Sequence, residues 1–271
     1  MDEDVSDDAP YEGRTALWAA VHEEEQATAR ALQEAGADVL HAGPDGWTPW
    51  RLSQVGRVPG LLGHVPGLPE LSPQEAAEVD RGRALMSALG DIDDDGWSIT
   101  CVPGLDTAEV VRRLGAVSAA TEEPALDLWA SDALEEHSLP MRTVCVTTVP
   151  GGSVVSQPWA YMASTPVVAA LVSAGTVCYS MYANPKSGNQ GSITRDGVQV
   201  AGDLHPGGGY PNPDDPDEAE RFRDYLYRGH AAAYCCAFVG IAPPDSRAVL
   251  GPPDLWVELP VRDYWVATYG T

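Results

Sequence analysis

One phrase occurs twice near the start of the chain, and its spacing restricts the fold more than any other feature. Residues 13–20 read Gly-Arg-Thr-Ala-Leu-Trp-Ala-Ala, and residues 46–53 read Gly-Trp-Thr-Pro-Trp-Arg-Leu-Ser, which places the two phrases 33 positions apart. Thr15 and Thr48 are suited to cap the helices that follow them, and Pro49 is suited to a first helical turn. A repeat of this length predicts a stacked helical unit.

The segment between the two phrases completes the pattern. Residues 31–39 read Ala-Leu-Gln-Glu-Ala-Gly-Ala-Asp-Val, and Gly36 fits the position just past a helix end, where a left-handed backbone is needed. Together these residues resemble an ankyrin repeat over about a repeat and a half. The resemblance implies paired antiparallel helices and a protein that binds other proteins. The pattern differs at Ala16, Trp18 and Trp50, where Pro, His and Leu are usual.

The length of the match predicts the domain organisation. Ankyrin-type repeats bury their core only by stacking, and about three are needed for stability. Residues 11–56 are therefore predicted to form an ankyrin-like helical cap that packs on a larger domain. Residues 57–90 are predicted to be a Pro/Gly connector and then a helix, which Ser72 and Glu75 open as a capping box. Residues 91–271 are predicted to form that larger domain.

Hairpin signals dominate the rest of the chain. Residues 150–152 (Pro-Gly-Gly) and 196–197 (Asp-Gly) each separate two β-rich runs, whereas Asp106 and Asp217 precede helical patterns. Residues 126–136 are compatible with a short helix or with an irregular segment. Because hairpins outnumber long crossovers, the predicted fold class is α+β, with a short ankyrin-like helical cap packed on a mostly antiparallel sheet with helices.

A second resemblance begins inside this domain. Residues 96–116 read Gly-Trp-Ser-Ile-Thr-Cys-Val-Pro-Gly-Leu-Asp-Thr-Ala-Glu-Val-Val-Arg-Arg-Leu-Gly-Ala. They are similar to the start of an uncharacterised domain common in actinobacterial proteins, and the similarity continues weakly to about residue 230. That family has no established activity or site, so it implies only a boundary and a fold type. One Lys (Lys186) against fifteen Arg indicates a GC-rich bacterial genome.

The charge of the chain restricts its partners. It has 40 Asp and Glu against 16 Lys and Arg, and a net charge of −24. Nucleic acid and anionic membranes are unfavourable ligands, because binding phosphate requires clustered cations. A basic protein is the complementary partner, although acidity that only maintains solubility is the alternative. The acidic start at residues 1–4 does not resemble a secretory signal, and no apolar run approaches 18 residues, which predicts a cytoplasmic protein.

The sequence lacks the common catalytic motifs. It has no Gly-x-Ser-x-Gly, no phosphate-binding loop and no His-Glu-x-x-His, and its six His have no metal-ligand spacing. The prediction is a non-enzymatic protein with no cofactor and no metal. The five Cys are predicted to be buried free thiols. The alternative is an enzyme with an unrecognised site in the C-terminal domain, for which Cys101 or Cys145 with His137 or His205 are the candidates.

Two kinds of residue are predicted to contact the partner. A tryptophan at the expected tip of an ankyrin-type hairpin would serve as an anchor, because exposed tryptophans are frequent interface hot spots. Two acidic runs would supply the charge, with solvated turns as the alternative. The first run is not predicted to bind calcium, because Val102 stands where a bidentate Glu is required. The predicted partner-binding residues are Trp47, Asp93, Asp94, Asp95, Asp214 and Asp215. The specific hypothesis is an immunity-type antidote that captures a basic toxic protein such as a nuclease.

Overall fold

The fold class is α+β, as predicted. The computed structural model describes residues 13–63, 65–92, 96–135, 137–209 and 217–266. The α-helices in these ranges are α1 (Ala16–His22), α2 (Gln26–Glu34), α3 (Pro49–Val55), α4 (Pro73–Leu89), α5 (Thr107–Leu114), α6 (Leu139–Arg142), α7 (Pro166–Val172), α8 (Glu218–Leu226), α9 (Ala231–Val239) and α10 (Arg247–Leu250). The strands are β1 (Ser98–Pro103), β2 (Ser118–Ala120), β3 (Thr143–Val149), β4 (Gly152–Gln157), β5 (Val177–Asn184), β6 (Gly188–Arg195), β7 (Val198–Leu204) and β8 (Leu255–Glu258).

The chain divides into two compact units. The helical unit comprises residues 1–83 and 208–228, and the sheet unit comprises residues 84–207 and 229–271. The first division falls inside α4, within the range 57–90 that the sequence predicts as a connector and a helix. The helical unit also takes in α8, which contacts α3 across more than 160 residues of sequence. A local sequence pattern cannot predict a contact between segments so far apart in the chain.

Side-chain caps start the first helices of the helical unit. Thr15 Oγ1 accepts a hydrogen bond from the backbone N–H of Trp18 at 3.1 Å, and Thr48 Oγ1 accepts one from the N–H of Arg51 at 3.1 Å. Gly36 follows α2 with a φ of +89°. These local predictions from the repeated phrase are confirmed. The α1 helix contacts both α2 and α3, and its Leu17 side chain is buried.

The sheet unit is built on one antiparallel sheet. Its strand order is β2-β8-β3-β4-β1-β5-β6-β7, and each neighbouring pair is antiparallel. The hairpins predicted at residues 150–152 and 196–197 are confirmed, because they join β3 to β4 and β6 to β7. Asp196 and Gly197 have φ values of +50° and +79°, which suits the tight turn that matches strand twist.

Helices cover the two faces of the central strands. On one face, α5 and α7 bury Val110, Leu114 and Val168 against Val102 and Val155 of the sheet. The other face carries α9, which contacts β1 and β5. There the rings of Tyr179 and Tyr234 are 5.7 Å apart, and the Sγ atoms of Cys101 and Cys236 are 3.6 Å apart. All five Cys are free and buried, as predicted.

Two segments differ from the expectations at the C-terminal end. The α9 helix was not predicted, because its nine residues are almost uniformly apolar and show no helical periodicity. The sequence pattern at residues 264–268 also predicts a closing strand. Residues 264–266 are not a strand, and residues 267 and 268 lie outside the described ranges. None of the helices in the described ranges is both long and apolar enough to span a bilayer.

Candidate functional site

Trp47 does not lie on the surface. Its side chain is 1% exposed, and its ring lies 4.6 Å from that of Tyr225 and 6.0 Å from that of Phe222. Its backbone N–H donates to the carboxylate of Asp45 at 3.0 Å. The prediction that Trp47 is an exposed anchor is therefore wrong. The physical reason is that α8, which lies about 170 positions further along the chain, packs over the indole.

The predicted acidic contact residues lie outside the described part of the chain. This is true of Asp93, Asp94 and Asp95, and of Asp214 and Asp215. Twelve of the 40 acidic residues fall outside the described ranges, but none of the 16 Lys and Arg does. The role of these five aspartates therefore stays a prediction.

Another tryptophan is almost completely exposed. Trp129 is 97% exposed, and Leu134, five positions further along the chain, is 60% exposed. Both belong to residues 121–135, which lie between β2 and α6 in the sheet unit and are called the Trp129 segment below. Tryptophan is usually largely buried, and an exposed tryptophan is a frequent anchor of protein interfaces. The segment is therefore the candidate functional site.

The charge around Trp129 has one sign. Residues 114–141 contain no Lys and no Arg. Among the described residues, none of the carboxylates of the segment takes part in an ion pair. All are exposed, and they are Glu122, Glu123, Asp127, Asp132 and Glu135. The stretch of chain around Trp129 therefore carries only negative charge from its acidic side chains.

A series of turns holds the Trp129 segment in place. The carboxylate of Asp127 accepts a hydrogen bond from the backbone N–H of Trp129 at 3.1 Å, which fixes the turn that carries the indole. Ala133 is buried, and its carbonyl accepts a bond from the Ser138 hydroxyl at 2.6 Å. Ser138 in turn caps α6 by accepting from the N–H of Met141. Of the two alternatives left open for residues 126–136, the described residues take the irregular one.

The sequence of the Trp129 segment contains a signal typical of interaction surfaces. Within residues 122–135, acidic residues alternate with Leu and Trp, and no cation interrupts them. Such acidic and hydrophobic alternation is typical of interaction segments. The sequence prediction named Trp47 instead, because it was based on the ankyrin-like repeat.

A second surface feature lies in the helical unit. An open groove of about 460 Å³ runs between α3, the connector and α4, with Trp50, Leu71 and Val79 among its lining residues. The guanidinium of Arg83 also lines the groove, and it donates to the backbone carbonyls of Gln54 and Gly56 at 3.1 and 2.7 Å. The groove therefore mixes apolar walls with a partnered cation, and it lacks the single sign of charge found around Trp129.

The candidate catalytic thiols are poorly suited to nucleophilic attack. Burial raises the pKa of Cys145 to about 12, and the contact with Cys236 together with burial raises the pKa of Cys101. A reactive cysteine needs the opposite shift, because the thiolate is the nucleophile. Within the described ranges, no hydrogen bond joins either thiol to His137 or His205, and no three His, Cys, Asp or Glu side chains cluster in a way that could hold a metal.

Comparisons of the chain with protein-family models, with curated proteins and with solved structures gave no significant match. The function must therefore be inferred from the side chains themselves. The Trp129 segment presents a large exposed aromatic side chain on a stretch of chain that carries five exposed carboxylates. Chemically, this arrangement suits recognition of a surface that offers an apolar pocket surrounded by Lys and Arg.

Proposed function

We propose that the chain is a non-enzymatic protein-binding protein that captures a basic protein partner through the Trp129 segment. The observation that carries the proposal is the indole of Trp129, which is 97% exposed in a stretch with five described carboxylates and no cation. The resemblance of residues 13–52 to ankyrin repeats supports a binding role. The lack of common catalytic motifs in the sequence supports a non-enzymatic role, and a cytoplasmic location is part of the proposal.

The two features of the segment have different effects on binding. Negative charge accelerates the approach of a cationic protein, and the acceleration falls as salt screens it. The indole then gains free energy when a partner pocket removes it from water, and tryptophan is among the residues that dominate interface energies. Because turns already fix the backbone at Trp129, the backbone loses little conformational entropy on binding.

In its specific form, the partner is a basic toxic protein, and the chain is an immunity-type antidote. A nuclease binds its substrate with clustered Lys and Arg, and an acidic protein surface can occupy that cluster. Other proteins with ankyrin-type repeats have this role, so this step is an analogy. The alternative, an enzyme with an unrecognised site in the sheet unit, has less support because the pKa values of both cysteine candidates are raised, that of Cys101 by its contact with Cys236 and by burial and that of Cys145 by burial.

The test compares capture by matched tryptophan variants. The purified chain, Trp129→Ala and Trp265→Ala are immobilised, and the proteins retained from the native lysate are quantified. Trp265 is a half-exposed tryptophan that packs on Tyr161, so it controls for loss of an indole elsewhere. We expect Trp129→Ala to lose at least about 90% of a set of basic proteins, since a hot-spot residue contributes about 2 kcal/mol or more. Equal retention by all three proteins would contradict the proposal.

A second comparison tests the charge. Asp127→Asn, Asp132→Asn and Glu135→Gln are combined in one variant, and the Asn at position 127 keeps the acceptor for the N–H of Trp129. The control neutralises three exposed acids of the helical unit, namely Glu25, Glu34 and Asp80. Only the first variant should slow association with the captured basic protein, by about tenfold at low salt. The same rate for both variants would show that the total charge acts, not this segment.

A further inference from the structure

Two cysteines of the sheet unit are in contact although they belong to different elements. Cys101 is on β1 and Cys236 is on α9, and their Sγ atoms are 3.6 Å apart. Both side chains are fully buried. The two residues are 135 positions apart in the chain, so it is the folding of the sheet unit that brings their thiols together.

The contact is specific to this pair. In the described ranges, no other two cysteine Sγ atoms are within hydrogen-bond distance of each other. Cys178 instead donates to the backbone carbonyl of Ala169 at 3.5 Å. Cys235 precedes Cys236 on α9, but successive side chains of a helix do not face each other. A metal does not explain the contact, because no group of three potential ligands in the described residues could hold one.

We propose that Cys101 and Cys236 are a redox-sensitive pair that hydrogen peroxide oxidises to a disulfide, which locks α9 to β1. A disulfide bond is about 2.05 Å long, so the two sulfurs must approach by about 1.6 Å from their present separation. Rotation of the two side chains about their Cα–Cβ bonds can supply an approach of this size. The proposal does not depend on capture of a protein by the Trp129 segment.

The reaction takes place in two steps. The thiolate of one cysteine attacks hydrogen peroxide, forms a sulfenic acid and releases hydroxide. The thiol of the other cysteine then attacks the sulfenic sulfur, which forms the S–S bond and releases water. In sum, the two thiols lose two electrons and two protons, and one hydrogen peroxide is reduced to two waters.

The fold protects the reduced pair. The contact with Cys236, together with burial, raises the pKa of Cys101, and the reactive form of a cysteine is its thiolate. We therefore expect peroxide to react with molecules in which α9 has opened locally from the sheet. Oxidation should be slow, and it should accelerate in urea concentrations below the unfolding transition. Cytosolic thiol reductants return such a disulfide to the dithiol, so the lock is reversible.

The test locates the disulfide by mass spectrometry. The reduced full chain is treated with hydrogen peroxide, its free thiols are alkylated after denaturation, and its peptides are analysed without reduction. We expect one disulfide, between Cys101 and Cys236, and alkylation of the other three of the five cysteines. Dithiothreitol should restore alkylation of all five. Five free thiols after treatment, a disulfide to another cysteine, or sulfinic acid without a disulfide would overturn the proposal.

Matched variants test the lock itself. Cys236→Ala and Cys145→Ala each remove a buried thiol, but only Cys236→Ala should prevent the disulfide. Oxidation should raise the melting temperature of the wild-type chain by at least about 4 °C, because the bond constrains the unfolded chain. The same treatment should not raise that of Cys236→Ala, which controls for oxidation of methionine. Equal melting temperatures for the reduced and oxidised wild-type chain would contradict the lock, and this comparison needs no variant to fold.

Discussion

The carboxylate of Asp45 is fully buried in the helical unit, and its charge depends on a small set of donors. The Tyr225 hydroxyl and the Trp47 backbone N–H both donate to it, and the guanidinium of Arg14 lies 3.4 Å away. A buried charge is tolerated only when hydrogen bonds replace its water. The contact also connects α8 to the loop before α3, since Tyr225 and Asp45 are 180 residues apart.

Removal of the Tyr225 hydroxyl should therefore be costly. We expect Tyr225→Phe to lower the free energy of unfolding by about 2 kcal/mol, the range for a hydrogen bond to a charged group. Tyr264→Phe is the matched control, because the hydroxyl of Tyr264 donates to the uncharged carbonyl of Pro260 at 2.9 Å. Its cost should be about 1 kcal/mol. Urea unfolding measures the free energy of unfolding of both variants. A smaller loss of stability in Tyr225→Phe than in Tyr264→Phe would contradict a hydrogen bond from Tyr225 to a charged Asp45.

Trp47 and Trp129 show which properties of single residues could be predicted from the sequence. The helix caps at Thr15 and Thr48 depend on neighbours three positions away, and both were predicted correctly. The burial of Trp47 depends on Tyr225, which no local pattern connects to it. Trp129 is exposed because turns hold it away from the sheet core, and neither a helix nor a strand signal marks those turns. The local caps were therefore predictable, whereas the exposure of these two tryptophans was not.

At the scale of elements, α4 begins with a capping box whose charge links folding to pH. Ser72 Oγ accepts from the N–H of Glu75 at 3.2 Å, and the Glu75 carboxylate accepts from the N–H of Ser72 at 2.8 Å. Arg51 lies 2.7 Å from the same carboxylate. The hydrogen bonds with Ser72, aided by Arg51, lower the pKa of Glu75 from 4.5 to about 2.

The lowered pKa of Glu75 predicts a defined pH window. Between about pH 4.5 and pH 2 the unfolded chain binds more protons at this carboxyl than the folded chain, so stability falls as pH falls. The contribution is complete above pH 4.5 and lost below pH 2. Glu75→Gln should flatten the pH dependence of the unfolding free energy in that window, whereas Glu34→Gln on exposed α2 serves as the control. An identical slope for wild type and Glu75→Gln would rule out this role.

The junction of β1 and β4 tolerates no side chain at Gly152. A Cβ atom built there would lie 2.2 Å from the carbonyl oxygen of Val102 and 2.8 Å from the Cα of Pro103. Both neighbours are backbone atoms of a central strand, so they cannot move aside without disturbing the ladder.

We expect Gly152→Ala to destabilise the chain by about 3 kcal/mol or more, at the upper end of the overpacking range. Gly63→Ala is the control, because its Cβ would make an ordinary contact of 3.5 Å with Gln33. Thermal unfolding by circular dichroism measures the difference. A melting temperature of Gly152→Ala equal to that of Gly63→Ala would show that β1 and β4 are not packed this closely.

Elements with local start signals could be predicted, and the others could not. The Ser72 box, the Asp106 cap and the hairpin at residues 196–197 each use side chains or backbone within four positions. In contrast, α9 has no cap and no polar face, and the three-residue β2 exists only because it pairs with β8, far along the chain. Strand order likewise depends on long-range pairing, so the fold class was predictable but the topology was not.

At the scale of the whole molecule, acidic residues occur in both units, but only some of their carboxylates form ion pairs with arginine. Arg51, Arg57 and Arg228 of the helical unit form ion pairs with glutamates. The carboxylates of the Trp129 segment form none within the described residues, and no cation occurs in residues 114–141. Local, unpaired charge next to an exposed indole, and not the total charge, is therefore the basis of the proposed binding surface.

The most direct test is the salt dependence of what Trp129 captures. Proteins retained from the native lysate by the wild-type chain but not by Trp129→Ala are identified at about 0.05 M and about 0.5 M NaCl, a range over which screening of surface charges changes strongly. The expected result is a small set of basic proteins whose retention falls at least about tenfold at high salt. A set with no basic bias, or retention that is indifferent to salt, would contradict capture of a basic partner by this surface.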